Sequence, residues 1–580
     1  MFRLYPFRCQ WLPVGLLLPQ AALAQLPAIT SVVPAANFLA APASGPVAVT
    51  FNQPLLNTSA GSLKVFSSLR GGQRAQGAAA AVVSGNALRF SPGSAPFSPG
   101  ETVSYTVTRG ASSSNGALAQ PRVGQFTVAV GGGNGTFAPG SDPASGFQPI
   151  TVAVGDVDGD GDLDFVTANF RGPISVRLNN GSGTFGPGRD VSVSGNVRSV
   201  TLGDVDGDGD LDLLAPDYSD DTGTSVSVRF NNGQGVFSGT QSVFVNTGSY
   251  GLALGDVDGD GDLDLLTANG RSNSVSIRFN DGQGSFGGSQ NVAAGSNPHN
   301  VVVGDVDADG DLDYLVANSN SSTVSIGFND GRGNFSAGSF VSVAANPFGL
   351  AVGDVDGDGD LDLLSSSPNA NGAISVRLNN GTGTFGGGQD VATNNISGYG
   401  AFSVTLGDVD GDGDLDFLAS NANGGGPGSV LIGLNNGKGI FSAGQSVSVG
   451  RATQGVAVGD VDGDGDLDIL SANSNDNNVS IRLNRSGSAG TGTGTNPALA
   501  SLLPNIITPN NDRHNDLFVI DEPDRGPWAL TVYTRWGQRV YHSPNYQNDW
   551  GADSPGGTYF YLLQPADGGP ARKGWVEVVR

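Results

Sequence analysis

Asp156-Val157-Asp158-Gly159-Asp160-Gly161-Asp162-Leu163-Asp164 is the stretch on which the reading of this chain turns. Carboxylates stand at positions 1, 3, 5, 7 and 9 of it, with glycine at 6. In a tightly curled turn alternate residues point inward, Gly161 permits the sharp bend, position 7 can offer its backbone carbonyl, and Asp164 closes the shell from the following strand. Every donor is an oxygen, which selects a hard cation. A flexible shell of about six or seven oxygens suits Ca²⁺ better than Mg²⁺, which keeps its waters, or Zn²⁺, which takes His or Cys. Solvated acidic turns without an ion are the alternative. Five carboxylates within nine residues repel one another, however, and repeating that spacing has no structural purpose without a cation.

The run recurs seven times, at intervals of 48 to 54 residues. The candidate metal ligands are therefore Asp156, Asp158, Asp160, Asp162 and Asp164, then Asp204, Asp206, Asp208, Asp210 and Asp212, then Asp256, Asp258, Asp260, Asp262 and Asp264. The fourth set is Asp305, Asp307, Asp309, Asp311 and Asp313, and the fifth Asp354, Asp356, Asp358, Asp360 and Asp362. Asp408, Asp410, Asp412, Asp414 and Asp416 form the sixth, and Asp460, Asp462, Asp464, Asp466 and Asp468 the seventh. About seven calcium ions, one per repeat, are expected. The fourth run has Ala308 where the others have glycine at position 4, which points outward in this scheme and spares the site.

Each repeat reads as four strands. The first ends at the Asp run, as at Ser199 to Leu202, and the second starts at the last Asp. The third alternates, as in Ser225 to Phe230 and Ser274 to Phe279, and the fourth follows a Gly-x-Gly-x-Phe turn. Such repeats build either an open solenoid or a closed propeller. The seventh repeat stops at Arg482-Leu483-Asn484-Arg485 without its Gly-x-Gly-x-Phe segment, and the missing piece stands ahead of the first repeat as Gly133-Asn134-Gly135-Thr136-Phe137. A closed ring explains that displacement, because the early strand completes the last blade and removes an exposed sheet edge. The expectation is an all-β chain whose centre is a seven-bladed β-propeller over 131–485.

Composition agrees. With Gly 91 and hydrophobic residues at 38%, the chain suits short strands and tight turns, and patterned alternation argues against disorder. The net charge of −26 is local: the seven runs hold 35 of 54 acidic residues, leaving 19 acids against 28 Lys and Arg, a remainder of +9. One divalent ion per run would bring −26 to −12, so cations are the natural counterpart and a nucleic-acid partner is not expected.

Residues 1–24 read as an export signal, with Arg3 and Arg8 ahead of an apolar stretch and Ala22-Leu23-Ala24 as the cleavage site. Pro13 and Pro19 interrupt that stretch, which is too short for a membrane span, so no transmembrane segment is expected after signal removal. Cys9, the sole cysteine, leaves with the signal and takes thiol chemistry with it. Residues 25–130 carry no Asp run. Short alternating stretches at Val47–Phe51, Leu63–Phe66, Ala87–Phe90, Thr102–Thr108 and Gln125–Val130 read as a small β-sandwich. Residues 486–498 are a flexible linker, and 499–580 a separate β module holding Trp528, Trp536, Trp550 and Trp575.

Three resemblances follow from these residues. The acidic loop with its repeat resembles the FG-GAP or VCBS repeats of integrin α-subunit propellers, of some bacterial surface proteins and of fungal lectins. That likeness implies structural calcium between the first and second strands of a blade, and ligand binding from loops elsewhere. Val47-Ala48-Val49-Thr50-Phe51-Asn52 resembles an early strand of bacterial Ig-like domains. Thr508-Pro509-Asn510-Asn511-Asp512 with Asn515-Asp516, Val532-Tyr533-Thr534-Arg535-Trp536-Gly537, Trp550, Gly557-Thr558-Tyr559-Phe560-Tyr561 and Lys573-Gly574-Trp575 resemble the gliding-motility-associated C-terminal domain of Bacteroidota. Asn511 and Arg513 depart from it, standing where the family usually has glycine. That family's domain is a β-sandwich-like sorting signal for type IX secretion, which implies passage through that machinery to the outside or outer surface of a Gram-negative cell.

The repeats offer little for catalysis. Between 131 and 485 there is one His (His299), one Lys (Lys438), no Glu and no Cys. Asp217, Asp220 and Asp221 are loop acids outside the runs. His299, Tyr250, Phe348 and Tyr399, with Arg198 and Gln454, fall in the connections that lead into first strands. They would share one face, which suits sugar or peptide recognition, although strand-end aromatics buried between blades are the plainer reading. An adhesive or carbohydrate-binding module with an extracellular glycan or protein as ligand is the expectation, and no enzyme. A polysaccharide hydrolase or lyase and a purely structural envelope protein are the alternatives.

Overall fold

Strands dominate the computed structural model, which describes residues 25–75, 80–218, 224–369, 372–393 and 400–486, and within the C-terminal unit 506–507, 517–518, 528–534, 538–548, 550–551, 554–565 and 572–578. The export segment 1–24 and all but the first residue of the linker 486–498 lie outside the described residues. Among the described residues no helix is long and apolar enough to cross a membrane.

Seven four-stranded antiparallel sheets form the blades of the propeller. Their first strands, Pro149–Gly155, Thr201–Gly203, Ser249–Gly255, Pro298–Gly304, Leu350–Gly353, Val404–Gly407 and Thr453–Gly459, line the axis. Each neighbours the first strand of the next blade, and Thr453–Gly459 neighbours Pro149–Gly155, which closes the circle. The expected first strand at Ser199 to Leu202 begins two residues later, at Thr201. Second strands start at the last Asp of each run, as in Asp164–Asn169 and Asp264–Asn269, and these two are buried throughout. Adjacent blades cover both faces, so such strands read as continuous runs of apolar and small residues, D-L-L-T-A-N, rather than in alternation.

The apolar cores sit between blades. Val205, Leu214, Val226 and Val228 of blade two pack with Leu252 and Leu265 of blade three. The same arrangement joins blade one to blade seven, where Leu163 and Phe165 meet Val461, Leu470, Val479 and Ile481. Blade seven takes its outer strand from the other end of the chain. Gly133–Pro139 pairs antiparallel with Asn478–Ser486, Phe137 opposite Asn484, as the displaced Gly-x-Gly-x-Phe segment requires.

In the N-terminal sandwich one sheet runs in the order Ile29–Val33, Val47–Phe51, Ala87–Phe90, Val82–Ser84, and the other Leu63–Ser67, Thr102–Val107, Arg122–Thr127. Val49, Phe51, Leu63, Val65, Phe90, Tyr105 and Phe126 fill the space between them. The last strand lies three residues earlier than the expected Gln125–Val130. Gly124, whose missing side chain makes room for the Tyr105 ring, hides the alternation, and Val128 has left the sheet to bridge Ala41.

The C-terminal unit is one five-stranded sheet over its described residues, ordered Ile506–Ile507, Arg572–Val578, Gly557–Pro565, Trp528–Thr534, Arg539–Ser543. Phe518, Trp528, Tyr546, Trp550 and Tyr559 form its aromatic core. Residues 508–512, 515–516 and 535–537 of the sorting motif lie outside the described residues.

Candidate functional site

Each Asp run curls between the first and second strands of its blade. Positions 4 and 6 both adopt left-handed backbone: φ is +76° at Gly159 and +97° at Gly161, and the other loops repeat these values closely. The curl turns backbone N–H groups inward. The Asp156 carboxylate accepts from Gly159 N at 2.7 Å and Gly161 N at 2.9 Å, and Asp164 accepts from Val157 N at 3.0 Å and Asn179 N at 2.7 Å. Position 4 is therefore a conformational requirement and not merely an outward-facing place. Ala308 is held at φ +62°, and in its loop Asp305 Oδ1 is buried with no hydrogen-bond partner, whereas Asp354 Oδ1 in the next loop accepts from Gly357 N at 2.8 Å.

Carboxylate oxygens from positions 1, 3 and 9 converge to within 4.8 Å of one another in loops one, two, four and five, and from positions 1, 3 and 5 in loop three. Position 7 stands apart from these groups: Asp162 packs against Gly181 of the Asn-Asn-Gly turn in its own blade, and Asp210, Asp262, Asp360 and Asp414 repeat the contact. Burial raises the position-9 acids against the pull of their backbone hydrogen bonds, Asp212, Asp313 and Asp468 to about 8 and Asp164, Asp362 and Asp416 to about 7. Asp158, Asp356 and Asp410, all at position 3, each keep a buried carboxylate oxygen without a hydrogen-bond partner among the described residues. Converging, desolvated, unpartnered carboxylates are the donor set a hard cation needs, so the residues fit a metal ion at the repeat positions.

One feature of the loops escaped the sequence reading. The Asn that opens the Asn-Asn-Gly or Asn-Asp-Gly turn in six blades, and Asn484 in the seventh, joins neighbouring loops. Asn231 donates from Nδ2 to Leu211 O in its own loop (3.1 Å) and to Val157 O in the loop of blade one (2.8 Å), while its backbone N donates to Asp212. Asn280, Asn329, Asn379, Asn435 and Asn484 do the same around the ring, and Asn179 closes it with a 2.7 Å bond to Val461 O. The recurrence of this Asn in all seven repeats was the available signal.

The N-terminal sandwich covers the loops. Asp156 N donates to Leu69 O (2.7 Å), the Arg70 guanidinium to Gly161 O, Gln73 N to Asp204 Oδ2 (2.9 Å), Val123 N to Gly310 O (2.7 Å) and Asn37 Nδ2 to Gly359 O (2.9 Å). Pro121 and Lys64 pack on Gly259 and Gly261 of loop three.

At the opposite end of the first strands, the residue six places before each Asp run faces the channel mouth: Ile150, Arg198, Tyr250, His299, Phe348, Phe402 and Gln454. His299 stacks between Tyr250 and Phe348 with ring centroids 4.0 Å away on both sides, and Phe402 meets Phe348 edge-on at 5.5 Å. The Arg198 guanidinium lies 4.3 Å from the Tyr218 ring centroid, 5.2 Å from Phe170 and 5.8 Å from Tyr250. Phe402 takes the place expected for Tyr399, which lies outside the described residues together with Asp220 and Asp221. Asp217 sits in a strand-end bridge to Val197 and does not line the mouth.

Family models match the chain in three places: a bacterial Ig-like domain over 24–128, an FG-GAP-like repeat over 156–215, 256–316, 305–365, 354–419 and 417–471, and a type IX secretion signal domain over 501–578. Comparison with curated proteins gives no match. Solved structures similar to the chain include the BP39L lectin from Burkholderia pseudomallei, at 16% identity and TM-score 0.43 over 60% of this chain and 96% of that one. Another is an Agrocybe aegerita lectin, whose structure concerns recognition of non-reducing terminal N-acetylglucosamine, at 23% identity and TM-score 0.38 over 57% and 87%. BBS1N in complex with ARL6DN is similar at 12% identity and TM-score 0.43, over 61% and 98%. The chain is an FG-GAP-repeat propeller protein with an N-terminal bacterial Ig-like domain and a C-terminal type IX secretion signal, and its place is outside the cell, secreted or on the surface.

Proposed function

We propose that the protein is a calcium-stabilised binding module, displayed or released by the type IX pathway, that adheres to an extracellular glycan or protein through the propeller face opposite its metal loops. The observation that carries this reading is the division of the two ends of the first strands. One end holds the carboxylate loops and is covered by the sandwich; the other presents aromatic and polar side chains around a mouth with a cavity of about 390 Å³ beside it. In this reading about seven Ca²⁺ ions bind positions 1, 3, 5 and 9 of the loops, with the position-7 carbonyl. Bound calcium supplies positive charge to carboxylates that otherwise repel. An ion that binds only the folded ring stabilises it by linkage.

The reading is of a binder and not of a polysaccharide-acting enzyme. No carboxylate lines the mouth among the described residues, and His299, its one imidazole, is held between two rings. The test is retention of the labelled full chain on fixed cells and on a glycan array, in calcium and in chelator, alongside its melting curve. Calcium-dependent retention together with calcium-dependent melting is expected. Retention on neither surface in calcium contradicts the binding role.

A further inference from the structure

The mouth is chemically unlike the rest of this acidic chain. Among the described residues, no Asp or Glu lines either of the two cavities there, although the chain carries 54 acids. Arg198 differs from the propeller arginines that an aspartate holds. Arg177, Arg377, Arg451 and Arg482 are each held by an aspartate, Asp190, Asp390, Asp476 and Asp142, at 2.7 to 3.4 Å. Arg198 has no ion pair among the described residues. It is held by ring faces, and its buried Nε has no hydrogen-bond partner. A guanidinium held by ring faces and by no carboxylate keeps N–H donors for an anion, and a carboxylate is the group its planar fork matches.

Beside it the Tyr250, His299, Phe348 and Phe402 rings make a continuous aromatic wall across four blades, and Asn300 and Gln454 offer amide groups at the same mouth. Flat apolar faces next to amides and a cation suit a ligand with C–H faces, hydroxyls and one carboxylate. The seven ring positions are occupied by six different residue types, so the mouth is a single site per chain and not a repeated one.

We propose that the channel mouth binds the carboxylate-bearing end of an acidic saccharide, with Arg198 as the anion anchor and the four-ring wall as the stacking surface. The proposal rests on the reading of the open face as the binding face. The experiment is calorimetric titration of the full chain, calcium-loaded, with glucuronic-acid-terminated and sialic-acid-terminated oligosaccharides, their uncharged counterparts and an acidic peptide. Acidic sugars are expected to bind with a stoichiometry near one, at least about tenfold more tightly than the neutral ones, because a charged hydrogen-bonded pair is lost in the latter. Arg198→Gln should remove that preference. Gln454→Glu, which places a carboxylate at the mouth, should weaken acidic sugars more than neutral ones. Equal binding by Arg198→Gln with an unchanged melting temperature would overturn the anchor, and a stoichiometry near seven would overturn the single site. Binding of the peptide but of no saccharide would overturn the ligand class and keep the binding role. If glycan-array retention survives both substitutions undiminished, the mouth is not the site; if neither array nor cells retain the chain, the broader reading fails as well.

Discussion

The two ends of the innermost strands differ in how the repeat is used. At the Asp end every blade carries the same five carboxylates, the same left-handed turn and the same bridging Asn, with Ala308 the one change at positions 4 and 6. At the mouth end, six residues upstream, isoleucine, arginine, tyrosine, histidine, phenylalanine and glutamine share seven places. A sevenfold job keeps seven copies alike, because each loop must satisfy the same geometry. A job done once, at the axis, leaves each blade to supply a different group. Within one chain, uniformity thus marks the part that holds the ring together, and divergence marks the part that faces something else.

Removing metal should separate the two ends most sharply. Each site at a hundredfold excess over its dissociation constant adds about 2.7 kcal/mol, so chelation should lower the melting temperature of the propeller by roughly 20 °C or more, read by calorimetry. An equal effect from magnesium would break the calcium assignment. Next in size is the inter-blade bridge. Asn435→Ala leaves Val355 O and Leu415 O buried without their 2.8 and 3.0 Å donors, and should cost about 2 to 4 kcal/mol in denaturant unfolding, whereas Gln454→Ala at the mouth should cost under about 0.5 kcal/mol.

Proton linkage gives an intermediate effect. An unfolded Asp titrates near 3.9, whereas burial raises Asp212, Asp313 and Asp468 to about 8 in the ion-free fold. Between those values the folded chain binds more protons than the unfolded one. The stabilisation from protonation is complete below about pH 4 and is lost as pH rises toward 8. The chelated protein should therefore melt at lower temperature at pH 8 than at pH 5, and saturating calcium should flatten or reverse that slope. A chelated protein more stable at pH 8 would contradict the desolvated carboxylates. Smallest is Ala308→Gly, which relieves a left-handed alanine and should add about 1 kcal/mol, read as a shift in denaturant midpoint.

The ring and its closure were legible because both rest on local spacing. The Asp runs mark where first strands end and second strands begin, and the Gly133–Phe137 segment supplies the outer strand that only blade seven lacks. The bridging Asn was present in every repeat but reads as turn chemistry; its second role requires knowing that the adjacent loop's carbonyl lies 2.7 to 2.8 Å away. Phe402 was passed over for Tyr399 because the connection into blade six is longer than its counterparts, and only counting back from Asp408 recovers the register. The sandwich's cover over the metal loops was not legible at all. Asn37 and Gly359 are 322 residues apart, and nothing local to either announces the other.

If seven uniform loops hold the ring through calcium, the ions can be counted. After dialysis of the full chain against calcium, elemental analysis set against protein concentration should give about seven calcium ions per chain, and the same number for Arg198→Gln. A count of two or fewer in a folded sample, or the same melting temperature with and without the ions, would mean that calcium does not hold the ring.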